Sequence, residues 1–137
     1  MAAVTELLRS EADGSLSFGN HALKEKAKLD GFSYQGGTLK VKTFSEITKL
    51  EKDGELVFES VPGTSVNSMV ISKDGMSFTV EGPEDAQITV GLDSDTEYEV
   101  FVSGNSIGKI KTNLGGKLPF SVELADNGEV GVEVRRA

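Results

Sequence analysis

The chain has 137 residues, 37% of them apolar and 26% charged, which is enough material for one packed core of ordinary domain size. It carries no Cys, no Trp and a single His, so disulfide scaffolds, thiolate metal sites, cysteine nucleophiles and two-histidine catalysis are excluded. Acidic residues outnumber basic ones 22 to 14, and the formal charge of −8 sets most of the surface against nucleic acid and anionic membranes.

Val4, Leu7 and Leu8 stand at i, i+3 and i+4, with Thr5, Glu6 and Arg9 between and beyond them. This spacing predicts a short amphipathic helix ending near Asp13-Gly14. So short a helix is unstable alone and must lie on a sheet or on a second chain. After Gly14 the period changes to two. In residues 38–44, Leu39 and Val41 fall on one face and Lys40 and Lys42 on the other, the signature of an antiparallel strand with one wet face. Residues 24–28 have a helix-favouring composition but lie between strand signals, so they read as an edge strand or an irregular crossing.

Turn signals then recur. Asp53-Gly54, Asp74-Gly75, Gly104-Asn105 and Asn127-Gly128 each separate two alternating runs and predict hairpins, because type I′ turns need positive φ at both central residues. Residues 87–92 add a further strand. The sum is roughly nine to eleven short strands behind one helix. The fold is therefore expected to be mainly β, an antiparallel β-sandwich (or two small β lobes) with one short N-terminal helix. Residues 1–137 read as a single unit. The breaker Val61-Pro62-Gly63 allows sub-lobes 1–62, helix plus β layer, and 63–137, an immunoglobulin- or fibronectin-like sandwich.

Chemistry-bearing residues are sparse. His21 is alone, in a turn after Gly19-Asn20, and no Gly-x-Ser-x-Gly elbow accompanies it. Gly36-Gly37, Gly104 with Gly108, and Gly115-Gly116 lie between strands and read as turns, since phosphate loops require a helix to follow. Asp93, Asp95 and Glu97 alternate as oxygen ligands but lack the glycine and third ligand of a calcium loop. Phe18, Phe44, Phe58, Phe78 and Phe120 read as core. Phe32, Tyr34, Tyr98 and Phe101 are the candidates for stacking on a sugar, Tyr34 foremost. No catalytic, cofactor-binding or metal-ligating residue is assigned, and no cofactor is expected.

Charge is unevenly placed. From Asp74 to Gly108 there is no Lys or Arg, while eight acids occur: Asp74, Glu81, Glu84, Asp85, Asp93, Asp95, Glu97 and Glu99. That stretch is either a solvated face or a docking surface for a basic partner. Lys24, Lys26, Lys28, Lys40 and Lys42 either block a sheet edge or meet the acidic stretch of a neighbouring copy.

Two resemblances add to this. Residues 91–102, Gly-Leu-Asp-Ser-Asp-Thr-Glu-Tyr-Glu-Val-Phe-Val, resemble the segment entering the penultimate strand of fibronectin type III sandwiches. The resemblance implies that Leu92 plugs the core and that the Tyr98 hydroxyl bonds upstream backbone. The whole chain resembles a group of short bacterial proteins of unassigned role, some labelled endosialidase. The similar stretches include Ser17-Phe18-Gly19-Asn20, Lys40-Val41-Lys42-Thr43-Phe44, Glu59-Ser60-Val61-Pro62-Gly63-Thr64 and Lys111-Thr112-Asn113-Leu114. The expected function is a non-catalytic β-sandwich that binds or assembles, as a homo-oligomer or on a protein partner, without nucleic acid or membrane. A carbohydrate-binding accessory module and an endosialidase-like glycoside hydrolase are the alternatives. Residues 1–9 carry no secretory pattern, which makes a cytoplasmic location the expectation.

Overall fold

The computed structural model describes residues 3–137. It holds thirteen strands: β1 (Leu8–Ser10), β2 (Leu16–Phe18), β3 (Ala27–Tyr34), β4 (Gly37–Phe44), β5 (Ile47–Lys52), β6 (Glu55–Val61), β7 (Ser65–Ser72), β8 (Gly75–Glu81), β9 (Ala86–Gly91), β10 (Glu97–Val102), β11 (Asn105–Lys111), β12 (Lys117–Val122) and β13 (Val130–Arg136). They form a seven-stranded sheet in the order β1-β2-β7-β8-β13-β10-β11 and a six-stranded sheet in the order β12-β9-β6-β5-β4-β3. Every pairing is antiparallel. Pairing crosses the Val61-Pro62-Gly63 breaker in both sheets, β2 with β7 and β6 with β9. Among the described residues no helix is long and apolar enough to cross a membrane.

The two sheets bury one continuous apolar cluster between them. Its centre is Phe58 on β6, packed edge-on against Phe18 (centroids 5.3 Å) and Phe78 (5.5 Å) of the opposite sheet. Edge-to-face rings satisfy the aromatic quadrupole while filling the gap between the sheets. Alternation in each strand supplies the rest: Leu39, Val41, Leu50, Ile88, Val90, Leu118, Val132 and Val134 all point inward and are buried.

The predicted N-terminal helix does not form. Thr5-Glu6 is a single turn closed by Leu7 N to Val4 O (3.0 Å), Leu7 takes φ +72°, and the chain continues as β1. The apolar positions are core as expected, with Val4 and Leu8 buried, but extended backbone buries them too. Val4 N donates to Gly19 O (2.9 Å) and Gly19 N to Leu7 O (3.0 Å), so ladder partners replace the bonds a short helix would have to nucleate. Residues 20–26 are irregular and lead into the edge strand β3. Asn127-Gly128 is not a hairpin: β12 and β13 lie in different sheets, and residues 123–129 cross between them. Type I′ geometry holds at Asp53-Gly54 (φ +52°, +85°) and at Ser103-Gly104 (φ +51°, +81°), the latter one residue earlier than the Gly104-Asn105 pair. At Gly75 the requirement is space, since a Cβ there would stand 1.8 Å from Val134 O.

All four sheet edges carry a feature that discourages further pairing. β1 has three residues. β12 contains Pro119. β3 is bulged at Asp30-Gly31, opposite Lys40. β11 is bulged at Ile107, with Val100 facing Gly108 and Phe101 facing Ser106.

A basic face and an adjoining groove

The six-stranded sheet turns its wet side outward on β3, β4 and β5. The two-residue link Ser45-Glu46 sets Phe44 opposite Ile47 and therefore Lys42 opposite Lys49. The β3–β4 register sets Lys28 opposite Lys42. Lys28, Lys42 and Lys49 thus form one row across three neighbouring strands, continued by Glu59 on β6. Lys40 lies next to the row, opposite Glu51. The four lysines and Glu51 line one depression of about 160 Å³. Lys49 pairs with Glu51 at 3.4 Å. Lys28, Lys40 and Lys42 form no ion pair among the described residues, not even with Asp30 in the bulge facing Lys40. Like charges placed directly opposite across a sheet cost some tenths to about 1 kcal/mol each.

Lys49 and Glu51 also line a larger groove of about 860 Å³. The groove lies where the β5–β6 turn, the β7–β8 turn and the start of the β9–β10 loop meet at one end of the sandwich. Its other lysines are Lys52, Lys73 and Lys117. Most of its carboxylates are engaged: Asp93 accepts from Arg136, Asp53 accepts from Thr38 N (2.9 Å), and Glu51 holds Lys49. The hydrogen bond it donates to Asp93 holds the Arg136 guanidinium above its ordinary pKa. Glu55 and Glu59 make no ion pair among the described residues.

The residues singled out in the sequence are dispersed. His21 Nδ1 lies 2.7 Å from Ser65 Oγ, a pair invisible in sequence at a separation of 44 residues. Ser65 is fully buried, so its hydroxyl ties the β2–β3 crossing to β7. Asp93 and Asp95 diverge, the first to Arg136 and the second to Lys111 at 3.3 Å. No group of three or more metal-ligating side chains exists among the described residues. Tyr98 is buried and its hydroxyl accepts from Asp93 N (3.3 Å), while Leu92 packs partly buried on the core.

Of the proposed sugar platforms, Phe32 and Tyr34 pack against the core from β3. The Tyr34 hydroxyl donates to Gly14 O (2.7 Å), and burial pushes its pKa up. Phe101 is covered by the Arg135 guanidinium, 4.6 Å from the ring centroid. Phe44, expected in the core, shares the parity of Lys40 and Lys42 and sits half-buried on the outer face, with Lys26 Nζ 6.0 Å from its ring. Of the predicted lysines, Lys28, Lys40 and Lys42 converge, whereas Lys24 and Lys26 precede the edge strand. Lys49 was not among those singled out; the alternation of residues 38–44 and 47–52 about a two-residue turn is the signal that finds it.

No family model, no curated protein and no solved structure matches the chain.

Proposed function

We propose that the chain is a non-catalytic β-sandwich binding module that docks an acidic protein surface on the outer face of its six-stranded sheet. The observation carrying this reading is the row Lys28, Lys42, Lys49 with Lys40 beside it, of which only Lys49 has an anionic partner. Holding these cations side by side costs stability, and a partner that supplies carboxylates recovers it. Lysine, a flexible and strongly hydrated point charge, suits register-tolerant contact with carboxylates rather than the forked recognition that arginine gives. A protein surface fits better than a polynucleotide. The net charge of −8 repels a long polyanion beyond the face.

Amide chemical shifts followed during titration with a polyglutamate peptide test the reading. Shifts are expected on β3, β4 and β5, and they should vanish in a Lys28→Gln, Lys42→Gln variant. Absence of shifts in the wild type overturns the proposal. So does tighter binding of a single-stranded oligothymidylate than of polyglutamate.

A further inference from the structure

Resting on the docking role just proposed, we infer that the occupant of the lysine face is the acidic corner of a second copy of this chain, so that copies join head to tail. The corner is built from the β8–β9 and β12–β13 loops. Asp85 Oδ1 accepts from Leu124 N (3.0 Å) and Ala125 N (3.1 Å), which clamps the two loops together. Neither residues 74–108 nor residues 118–134 contain a Lys or Arg. Glu84, Glu123 and Asp126 project from the corner, exposed, and form no ion pair among the described residues. Three uncompensated carboxylates thus stand against three uncompensated ammonium groups, Lys28, Lys40 and Lys42.

The two surfaces cannot meet within one molecule. The corner adjoins the β9 and β12 side of the six-stranded sheet, and the lysine row occupies β3–β5 on the other side, with β6 between. From β4 to β12 is four strand spacings, about 19 Å at about 4.8 Å each. Contact between different patches on two copies is heterologous, so a joined pair leaves one copy's corner and the other copy's face free, and association propagates unless a ring closes. Sheet-edge pairing is the competing route to assembly, and the short, bulged or proline-bearing edges oppose it.

The salt dependence is distinctive. At about 0.01 M salt the Debye length is about 30 Å, and two bodies of charge −8 repel over their whole width. At about 0.1 M it is about 10 Å, the net charges are screened from one another, and the facing patches still attract. At about 1 M it is about 3 Å and the patches are screened as well. Association therefore peaks near about 0.1 M salt rather than rising monotonically as salt is lowered.

Sedimentation velocity at these salt concentrations, on the wild type and two neutralised variants, tests the inference. One variant carries Lys28→Gln with Lys42→Gln, the other Glu84→Gln with Asp126→Asn. Circular dichroism melting confirms that both are folded. Wild type is expected to associate near about 0.1 M salt and to dissociate near about 1 M. Each variant alone should associate about tenfold more weakly or not at all. Mixed in equal amounts they should form a one-to-one dimer and nothing larger, through the intact corner of the first and the intact face of the second. A wild type that stays monomeric at every salt concentration overturns the inference, as does a variant that associates alone as strongly as wild type, or a mixture without heterodimer. Polyglutamate binding by such a monomer, lost on neutralising Lys28 and Lys42, leaves the docking role standing while the second copy fails as occupant. Loss of polyglutamate binding in the wild type overturns both.

Discussion

Replacing Lys42 by Glu should stabilise the protein, although it removes a native residue from the middle of a strand. Lys42 is the centre of the row, with Lys28 opposite on one side and Lys49 on the other. Directly opposed side chains have Cβ atoms about 5 Å apart. Two unit charges at that separation in water repel by about 0.8 kcal/mol, and the four-carbon stems and salt lower each to about 0.3–0.5 kcal/mol. Reversing the central charge converts two repulsions into two attractions, a swing of about 1–2 kcal/mol before side-chain entropy. Lys and Glu are both disfavoured in strands, so propensity adds little. A net gain of about 1 kcal/mol raises the melting temperature of a domain this size by about 3–4 °C. Urea rather than guanidinium melts should be used, because guanidinium is itself a screening salt. The gain is expected to shrink when sodium chloride is raised from about 0.05 to about 0.5 M. A destabilised variant, or a gain indifferent to salt, would refute the view that these lysines share one field. The same variant should lose polyglutamate binding, separating stability from docking.

Two further perturbations address the interior and the first hairpin. Thr48 is fully buried, and its hydroxyl donates to Thr64 O (2.7 Å), accepts from Thr64 N (3.1 Å) and contacts Thr43 Oγ1 (2.8 Å). Thr48→Val keeps the shape and strands these partners, so urea melts should show a loss of about 2–4 kcal/mol. A near-neutral result would mean that the hydroxyl network carries no stability. Asp13 accepts from Ser15 Oγ (2.6 Å) and Ser15 N (3.0 Å), and these bonds hold its carboxyl below the ordinary value of 3.8. A depressed folded pKa contributes stability above the unfolded value that is lost as pH falls through the folded one. Asp13→Asn should therefore be less stable than wild type at neutral pH, with the gap in urea midpoint closing below pH 3.8. A gap that persists unchanged into strong acid contradicts the assignment.

Much of the sandwich was legible because period-two alternation and two-residue turns are local. Leu39 and Val41 declared the buried face of β4, and Asp53-Gly54 fixed the β5–β6 hairpin, without knowledge of any distant partner. The failures share a cause. At residues 4–9 the spacing suited a helix, but the decisive partner was Gly19 on another strand. Asn127-Gly128 carried hairpin chemistry, yet which sheet each flanking strand joins is a long-range matter. Phe44 was assigned by hydrophobicity, and its parity proved stronger. The lysine row was half-visible: Lys40 and Lys42 stood out on one strand, while the opposition of Lys28 and Lys49 depends on register. Nothing local announced that His21 would meet Ser65 or that Asp85 would clamp residues 124–125.

The guarded edges fix the material character of anything these molecules build. Copies meeting face to corner share no backbone ladder, since β1, β3, β11 and β12 each end a sheet without inviting another strand. On the proposed contact, threads of such copies would be strings of intact domains, dissolved by brine and rebuilt by dialysis, and they would leave a thioflavin solution dark.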